Sequence, residues 1–488
     1  MTQTPPKAVL HQPSATSWWF DEALRFEARA SSNGGVSPVD IKPVVLDRDL
    51  DVDVAIVGGG FTGLWTAIIL ASQSPQLRIA LIEAGLCGSG ASGKNGGKVH
   101  GYWAQLPALS GSLGYEKALA MAQAGTRAQD AIRAYAQQAP LDIQWREGGN
   151  IRVSASPSQD AKLASYVRLA HENGIPDSAQ AMTKAELDNI CNSSAFRGGV
   201  FFREGAAVQP ARLARALRLS AIRLGVQIFE NTSMQSWTSG SPCRVQTAKH
   251  QITARKVVLA TNVALGKEAS IQPWMTVFSS YAAMSEPTEA LRAMNWTGEA
   301  GFADARMFLH YFRKTDDQRV LMGSGSGPVA FNNNWQAPPM TMDRVAAGRA
   351  VTAMTALLPA MKGTGIAKSW GGAIDISSDR LPRAGSLDGR HVFYAAGYCG
   401  HGVNPTFIAG QCLAEAVLEQ KHEWRNLPIW EREMLSFPPE PFRTIGARMI
   451  RRAILRCEDA DGLGQRPKAV DMFVASLPER LGIRVGTR

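Results

Sequence analysis

The sequence predicts an α/β protein: a doubly wound, largely parallel sheet with a mixed antiparallel α+β domain inserted into it. Three observations carry that expectation. "DVAIV" (53–57) is an unbroken apolar strand that runs into "GGGFTG" and then an apolar helix ending near Ala71. Strand, glycine-rich turn and helix return at the far end, in "RHVFYAAGYCGHGVNPTFIAGQCLAEAVLE" (390–419). Between them, residues 270–330 alternate, as in "FSSYAAMSE" and the hairpin pattern "RMFLHYFRKTDDQRVLMGSG", which turns near Asp316–Asp317.

The elements follow in order. Residues 1–50 are an N-terminal extension, Pro- and Ser-rich apart from a short amphipathic helix in "SWWFDEALRFEA" (17–28). Residues 51–105 hold the first βαβ unit, whose second strand is "LRIALIE" (77–83). The run "VAIVGGGFTGLWTAIILA" (54–71) is long enough for a membrane span, but its four glycines and the polar Ser72–Gln73 flank favour a buried strand, turn and helix. Residues 106–205 are helical and then strand-like at "GGNIRVSAS" (148–156), and belong to the second domain. Residues 206–265 return to the nucleotide-type domain through the amphipathic helix 209–225 and the strand "KVVLATN" (256–262). Residues 266–365, with a helix at 342–358, form the body of the inserted domain. Residues 366–425 complete the first domain, and 426–488 form a basic C-terminal segment.

At 488 residues, with 45% hydrophobic and 19% charged residues, the chain has the composition of a globular protein of two or three domains. Its charge of +10 is diluted over a large surface, so no nucleic-acid partner is expected. The six cysteines form no CxxC and no regular spacing, which argues against a zinc site or disulfide framework and for a reducing compartment. No metal site is expected. The first 30 residues lack a basic start and apolar core, so a cytoplasmic location is expected. In "RTIGARMIRRAILRC" (443–457), Ile445, Met449, Ile450 and Ile454 share one helical face among arginines. That pattern suits docking on the protein's own body, with peripheral membrane contact as the other reading.

Gly58, Gly60 and Gly63 fit G-x-G-x-x-G, with Phe61 and Thr62 inside it. The first glycine makes the tight turn, the second admits a pyrophosphate, and the third lets the helix pack on the strand. Glu83, followed by Ala84, ends the second strand, where a carboxylate can accept hydrogen bonds from a ribose. An acid there disfavours a 2′-phosphate and leaves FAD and NAD. Gly88–Lys94 matches a phosphate loop, but Asn95 stands where the magnesium-binding Ser or Thr belongs, so that reading is rejected.

"DVAIVGGGFTGLWTAI", "EAGLCGSGASGKNGG", "GAAVQPARLARAL", "VVLATN" and "AAGYCGHGVNPTFIAGQCLAEAVL" occur in the order seen in the D-amino-acid oxidase-like FAD oxidoreductases. The chain resembles that superfamily from about residue 50 to 425. Within it, the subgroup of gamma-glutamylputrescine oxidases and aminophosphonate oxidoreductases is most similar. Their "GASGRNGG" is here Gly90–Gly97 with Lys94 for Arg, and their "GYSGHG" is Gly397–Gly402 with Cys399 for Ser.

The resemblance implies a Rossmann-type FAD-binding domain and noncovalent FAD. Asn95 stands where histidyl-linked relatives carry His, and "GGAIDISSDRLPRAG" (371–385) lacks the cysteine of cysteinyl-linked ones. It implies that Gly90, Ala91, Ser92, Lys94, Asn95, Gly96 and Gly97 pass the pyrophosphate and flavin ring, Lys94 and Asn95 by side-chain hydrogen bonds, with Thr261 ending the third strand nearby. Gly397, Gly400, His401, Gly402, Val403 and Asn404 form the second cofactor contact. There Asn404 and Pro405 suit the N-cap and first residue of a helix. Lys98, His100 and Trp103 would face substrate, with Tyr281, His310, Tyr311, Arg313 and Trp370 as further walls and His401, Lys98 and Tyr311 as catalytic candidates. Arg313 would grip an anionic substrate group unless it pairs with Asp304. The implied reaction is oxidation of an amine by hydride transfer to the flavin, giving an imine that hydrolyses, with O2 or another acceptor reoxidising the cofactor. Two alternatives are a membrane-linked taurine-type dehydrogenase and an RNA-directed flavin oxidoreductase.

Overall fold

The apolar runs from the two ends of the chain meet in one sheet. In the computed structural model, which describes residues 9–420 and 423–483, Leu50–Val57 pairs in parallel with Ile79–Ile82 and with Gln251–Leu259. Gln227–Phe229 extends the sheet on one side, and Val392–Ala396 pairs in parallel with Gln251–Leu259. Ile79–Ile82 and Val392–Ala396 are buried throughout, as strands covered on both faces must be. Helices Phe61–Gln73, Pro210–Arg223, Pro405–Val417 and Tyr115–Gln138 share one core, with Leu64, Leu70, Leu213 and Leu413 fully buried in it.

A second sheet has the strand order Ile366–Ser377, Met275–Ser285, Val320–Ser324, His310–Lys314, Gly301–Asp304, Asn150–Ser154, Gly198–Phe202, Gln180–Met182. It is antiparallel except where Gly301–Asp304 meets Asn150–Ser154. The hairpin predicted around Asp316–Asp317 forms between His310–Lys314 and Val320–Ser324. Ile366–Ser377, expected in the nucleotide-type part, is an edge strand of this second sheet. A small sheet of Lys98–Val99, Ala206–Ala207 and Arg146–Glu147 joins segments of both parts.

The N-terminal extension is built into the fold. Its helix, Trp18–Ser32, is longer than the predicted one and is capped by Ser17, whose Oγ accepts from Phe20 N–H. Trp19 and Phe20 bury against Ala211, Leu321 and Trp370. Glu27 pairs with Arg215, and Glu230 pairs with both Arg215 and Arg218, all buried. Each of these charges has a partner, which is the condition for keeping it inside.

At the other end, helices Phe442–Gly462 and Ala469–Arg480 pack together. The predicted apolar face is split: Ile454 buries with Leu455 against Phe308 and Ile450 packs beside them, while Ile445 and Met449 are exposed. Among the described residues no helix is long and apolar enough to cross a membrane.

Candidate functional site

The glycine turn after Leu50–Val57 has no room for side chains. Gly58 has φ +112°, and a Cβ there would stand 2.5 Å from Ala260 O; one on Gly63 would stand 2.0 Å from Gly58 O. The helix therefore starts tight against the strand, and its first-turn amides lack helical acceptors. Ser92 Oγ accepts from Phe61 N–H at 2.9 Å. Glu83 lies behind the turn, Oε2 accepting from Gly59 N–H (2.7 Å) and Oε1 from Gly85 N–H (2.9 Å). Burial, partly offset by those amides, raises its pKa.

The small-residue loop Gly90–Gly97 is clamped by carbonyl-directed bonds. Ser17 Oγ donates to Gly93 O, and Lys94 Nζ donates to Ala15 O at 3.0 Å. Trp370 Nε1 donates to Lys94 O at 2.9 Å, and Arg313 Nε to Gly96 O at 2.9 Å. Asn95 closes the loop on itself: Nδ2 donates to Ala91 O and Ser92 O, and Oδ1 accepts from Gly97 N–H. The side chains of Lys94 and Asn95, expected to bond the cofactor, make these bonds within the protein, while both residues border the cavity that runs along the loop.

One cavity of about 840 Å³ runs along this loop. It is bordered by Gly60, Phe61 and Thr62, by Ala91 and Ser92, and by Gly400, His401, Gly402 and Val403. Lys98, His100, Trp103, Asn150, Arg152, Tyr166 and Tyr311 border it too. The C-terminal helix adds Ala475 and Pro478, with Ile483 beyond it. His100 and His401 meet edge to face within the cavity, ring centroids 5.2 Å apart. Trp103 Nε1 donates to Thr126 Oγ1 (2.8 Å), which donates to Glu204 Oε1 (2.7 Å).

Four predicted walls do not border it. Tyr281 is core: its hydroxyl donates to Pro339 O and accepts from Asp343 N–H, both at 2.7 Å. His310 turns to the buried Asp304, Nδ1 to Oδ2 at 2.8 Å. Arg313 meets neither a substrate space nor Asp304; it lies over Trp19 and donates to Gly96 O and Val208 O. Trp370 is buried under the loop.

Other expected residues do not border the cavity. Of Gly58, Gly63, Glu83, Ala84, Gly90 and Gly97, Gly63, Gly90 and Gly97 adjoin residues that do, Glu83 bonds the glycine turn at Gly59, and Thr261 lies between the bordering Ala260 and Asn262. The helix Pro405–Val417 begins as predicted with Asn404 at its N-cap position, but the Asn404 side chain makes no capping bond. Asn404 Nδ2 donates to Gly125 O, and the amides of Thr406 and Phe407 are taken by Gly402 O and Asn404 O. Gly397 sits at φ +85° with its N–H on Asp375 Oδ2 at 2.5 Å.

Asn150, Arg152, Tyr166, Glu204 and Asp375 border the cavity without having been singled out from the sequence. A signal for two of them existed: polar Asn150, Arg152 and Ser154 alternate with apolar Ile151 and Val153, which puts Asn150 and Arg152 on one face of the strand. Burial, then the charge of Arg152, brings Lys98 down to about 7. Burial, then Lys98, brings His100 down to about 4, so its imidazole is neutral at pH 7. Burial pushes Asp375 up to about 7 against the amides of Gly397 and Tyr398. Among the described residues no group of three or more His, Cys, Asp and Glu is placed to hold a metal.

The residues present fit a flavin dinucleotide. A glycine turn without room for a Cβ, a helix start beside it and a second glycine turn at Gly400–Val403 border one space. Asn262 Oδ1 at its edge and Asn404 Oδ1 beside it are buried with no partner. Fold and site together define a dinucleotide-binding oxidoreductase, with a substrate sheet facing the nucleotide sheet across one cavity. The particular family follows from comparison: the FAD dependent oxidoreductase (DAO) family matches residues 53–416, and the chain belongs to it. It is an FAD-dependent enzyme. It is similar to gamma-glutamylputrescine oxidoreductase of Escherichia coli K12, 28% identical over 430 residues that cover 86% of this chain and 95% of that protein. Sarcosine oxidase subunit beta of Rhizobium meliloti is 25% identical over 380 residues, covering 74% and 83%. Among solved structures, glycine oxidase from Geobacillus kaustophilus shares the fold at TM-score 0.65 and 22% identity, covering 79% of this chain and 99% of that one.

Proposed function

We propose that the chain oxidises a primary or secondary amine bearing an acidic group to an imine, which water converts to an aldehyde or keto product, and that O2 takes the electrons. The observation that carries this reading is one cavity bordered both by residues of the Gly90–Gly97 loop and by two cations, Arg152 on the second sheet and Lys98 on the small one. Relatives named for oxidising gamma-glutamylputrescine and sarcosine support the amine. FAD, when bound, supplies the two-electron acceptor.

The chain's own residues orient the substrate. His100, kept neutral by burial and by Lys98, offers a ring nitrogen to hydrogen-bond the substrate amine; held so far down it is too weak a base to deprotonate an ammonium, so the amine binds in its neutral form. His401 stands against it. Tyr311 forms a wall over Gly96 and Gly323, its hydroxyl 3.3 Å from Ser280 Oγ. Burial keeps that phenol protonated. Nothing in the cavity or the relatives favours the membrane-linked or RNA-directed alternatives.

The test is anaerobic mixing of the FAD-loaded protein with amines, amino acids, aminophosphonates and aminosulfonates. Bleaching of the flavin by an acidic amine, followed by hydrogen peroxide release in air, is expected. Bleaching by none of these classes would overturn the amine; bleaching without peroxide would overturn O2 as acceptor.

A further inference from the structure

Asn150–Ser154 is buried at every position but Arg152. The Arg152 guanidinium lies over Tyr166 and Phe202, 5.1 and 5.9 Å from their ring centroids, and Nη1 donates to Tyr166 Oη at 2.6 Å. Lys98 reaches the same wall: its Nζ is 3.4 Å from Phe302 O, and the next residue, Ala303, is the register partner of Arg152. Among the described residues neither cation is paired with a carboxylate. Glu204, which borders the same cavity, is already engaged by Thr126 Oγ1 and by the amides of Trp103 and Gly101.

Two like charges facing one cavity without a counter-ion are costly, the more so because Lys98 is desolvated. An anion entering the cavity removes that cost. Tyr166 takes one Arg152 donor and its ring fixes the guanidinium plane. The remaining donors suit a two-oxygen anion, a geometry that the ammonium of Lys98 cannot copy.

We infer that Arg152 and Lys98 form an anion subsite that takes the acidic group of the substrate, with Tyr166 as a positioning residue. The inference rests on the amine reading above: the amine lies toward His100 and His401, and a carboxylate, phosphonate or sulfonate set apart from it lies on Arg152. The subsite replaces the role expected of Arg313.

Calorimetric titration of glutarate and of its uncharged counterpart glutaramide into the FAD-loaded protein tests the subsite without turnover. A charge-assisted pair lost with the charge predicts glutarate binding about tenfold tighter or more. Arg152→Met should erase that preference and leave FAD content unchanged, Arg152→Lys should restore it only in part, and Tyr166→Phe should weaken it with the charge retained. Equal affinities in the wild type, or a preference that survives Arg152→Met, would overturn the subsite. The wild-type comparison needs no variant, so misfolding cannot mask failure. Glutarate selectivity in a protein whose flavin no amine bleaches would sustain the subsite and reject the amine reading alone.

Discussion

Arg313 Nε donates to the carbonyl of Gly96 at 2.9 Å, tying the second sheet to the loop along the flavin side of the cavity. Nη2 holds Val208 O at 2.6 Å, and burial lowers the guanidinium to about 10, still charged at neutral pH. Arg313→Met would leave two buried carbonyls short of a donor, each costing about 1–3 kcal/mol. The variant should melt lower and bind FAD about tenfold or more weakly by flavin fluorescence titration, with an unchanged glutarate-to-glutaramide ratio. Unchanged FAD affinity would reject the loop-tying role, and a collapsed ratio would return Arg313 to the role of a substrate clamp.

The flavin should be held without a covalent bond. Cys399, the thiol closest in sequence to the second glycine turn, is buried, contacts Ser377 Oγ at 3.3 Å, and is pushed up to about 11 by burial. A thiol so far from its thiolate is a poor nucleophile. Acid precipitation should release all yellow colour into the supernatant as FAD. Colour retained in the pellet after washing would show a covalent link.

How much of this was legible in the sequence differs between the two sheets. Leu50–Val57, the glycine turn and Phe61–Gln73 were readable because each position has a local reason: burial on both faces, no room for Cβ, a helix start. The substrate side was not, because an alternating strand shows which residues share a face but not what that face meets. Tyr281 and Tyr311 lie in similar patterns, yet one is buried against Pro339 and Asp343 and the other borders the cavity. The C-terminal helix shows the same limit: Pro478 reaches the cavity only through a docking that no local pattern encodes.

Glu83 should matter to FAD through its charge. Each oxygen already accepts one backbone N–H, from Gly59 or Gly85, and keeps a lone pair for a ribose hydroxyl. Glu83→Gln replaces one acceptor by a donor that faces an N–H. Charge-assisted bonds are worth roughly 1.5–3 kcal/mol each, so FAD affinity should fall by about tenfold or more. A folded variant with wild-type affinity, read by fluorescence titration, would remove Glu83 from cofactor binding.

Asp375 should make stability fall as pH rises through the weakly acidic range. Its carboxyl is buried, accepts the Gly397 and Tyr398 amides, and is pushed from 3.8 up to about 7 by burial. Between those values the folded protein keeps a proton that the unfolded chain has lost. Stability contributed by this group is therefore full below the unfolded value and is lost as pH rises through the folded one, by at most about 1.4 kcal/mol per pH unit. Asp375→Asn removes the titration. Denaturant melts of the FAD-loaded wild type and variant from pH 4 to 8 should show the variant gaining on the wild type up to about pH 7 and holding a constant difference above it. A difference independent of pH would mean that Asp375 is ionised in the folded protein throughout that range.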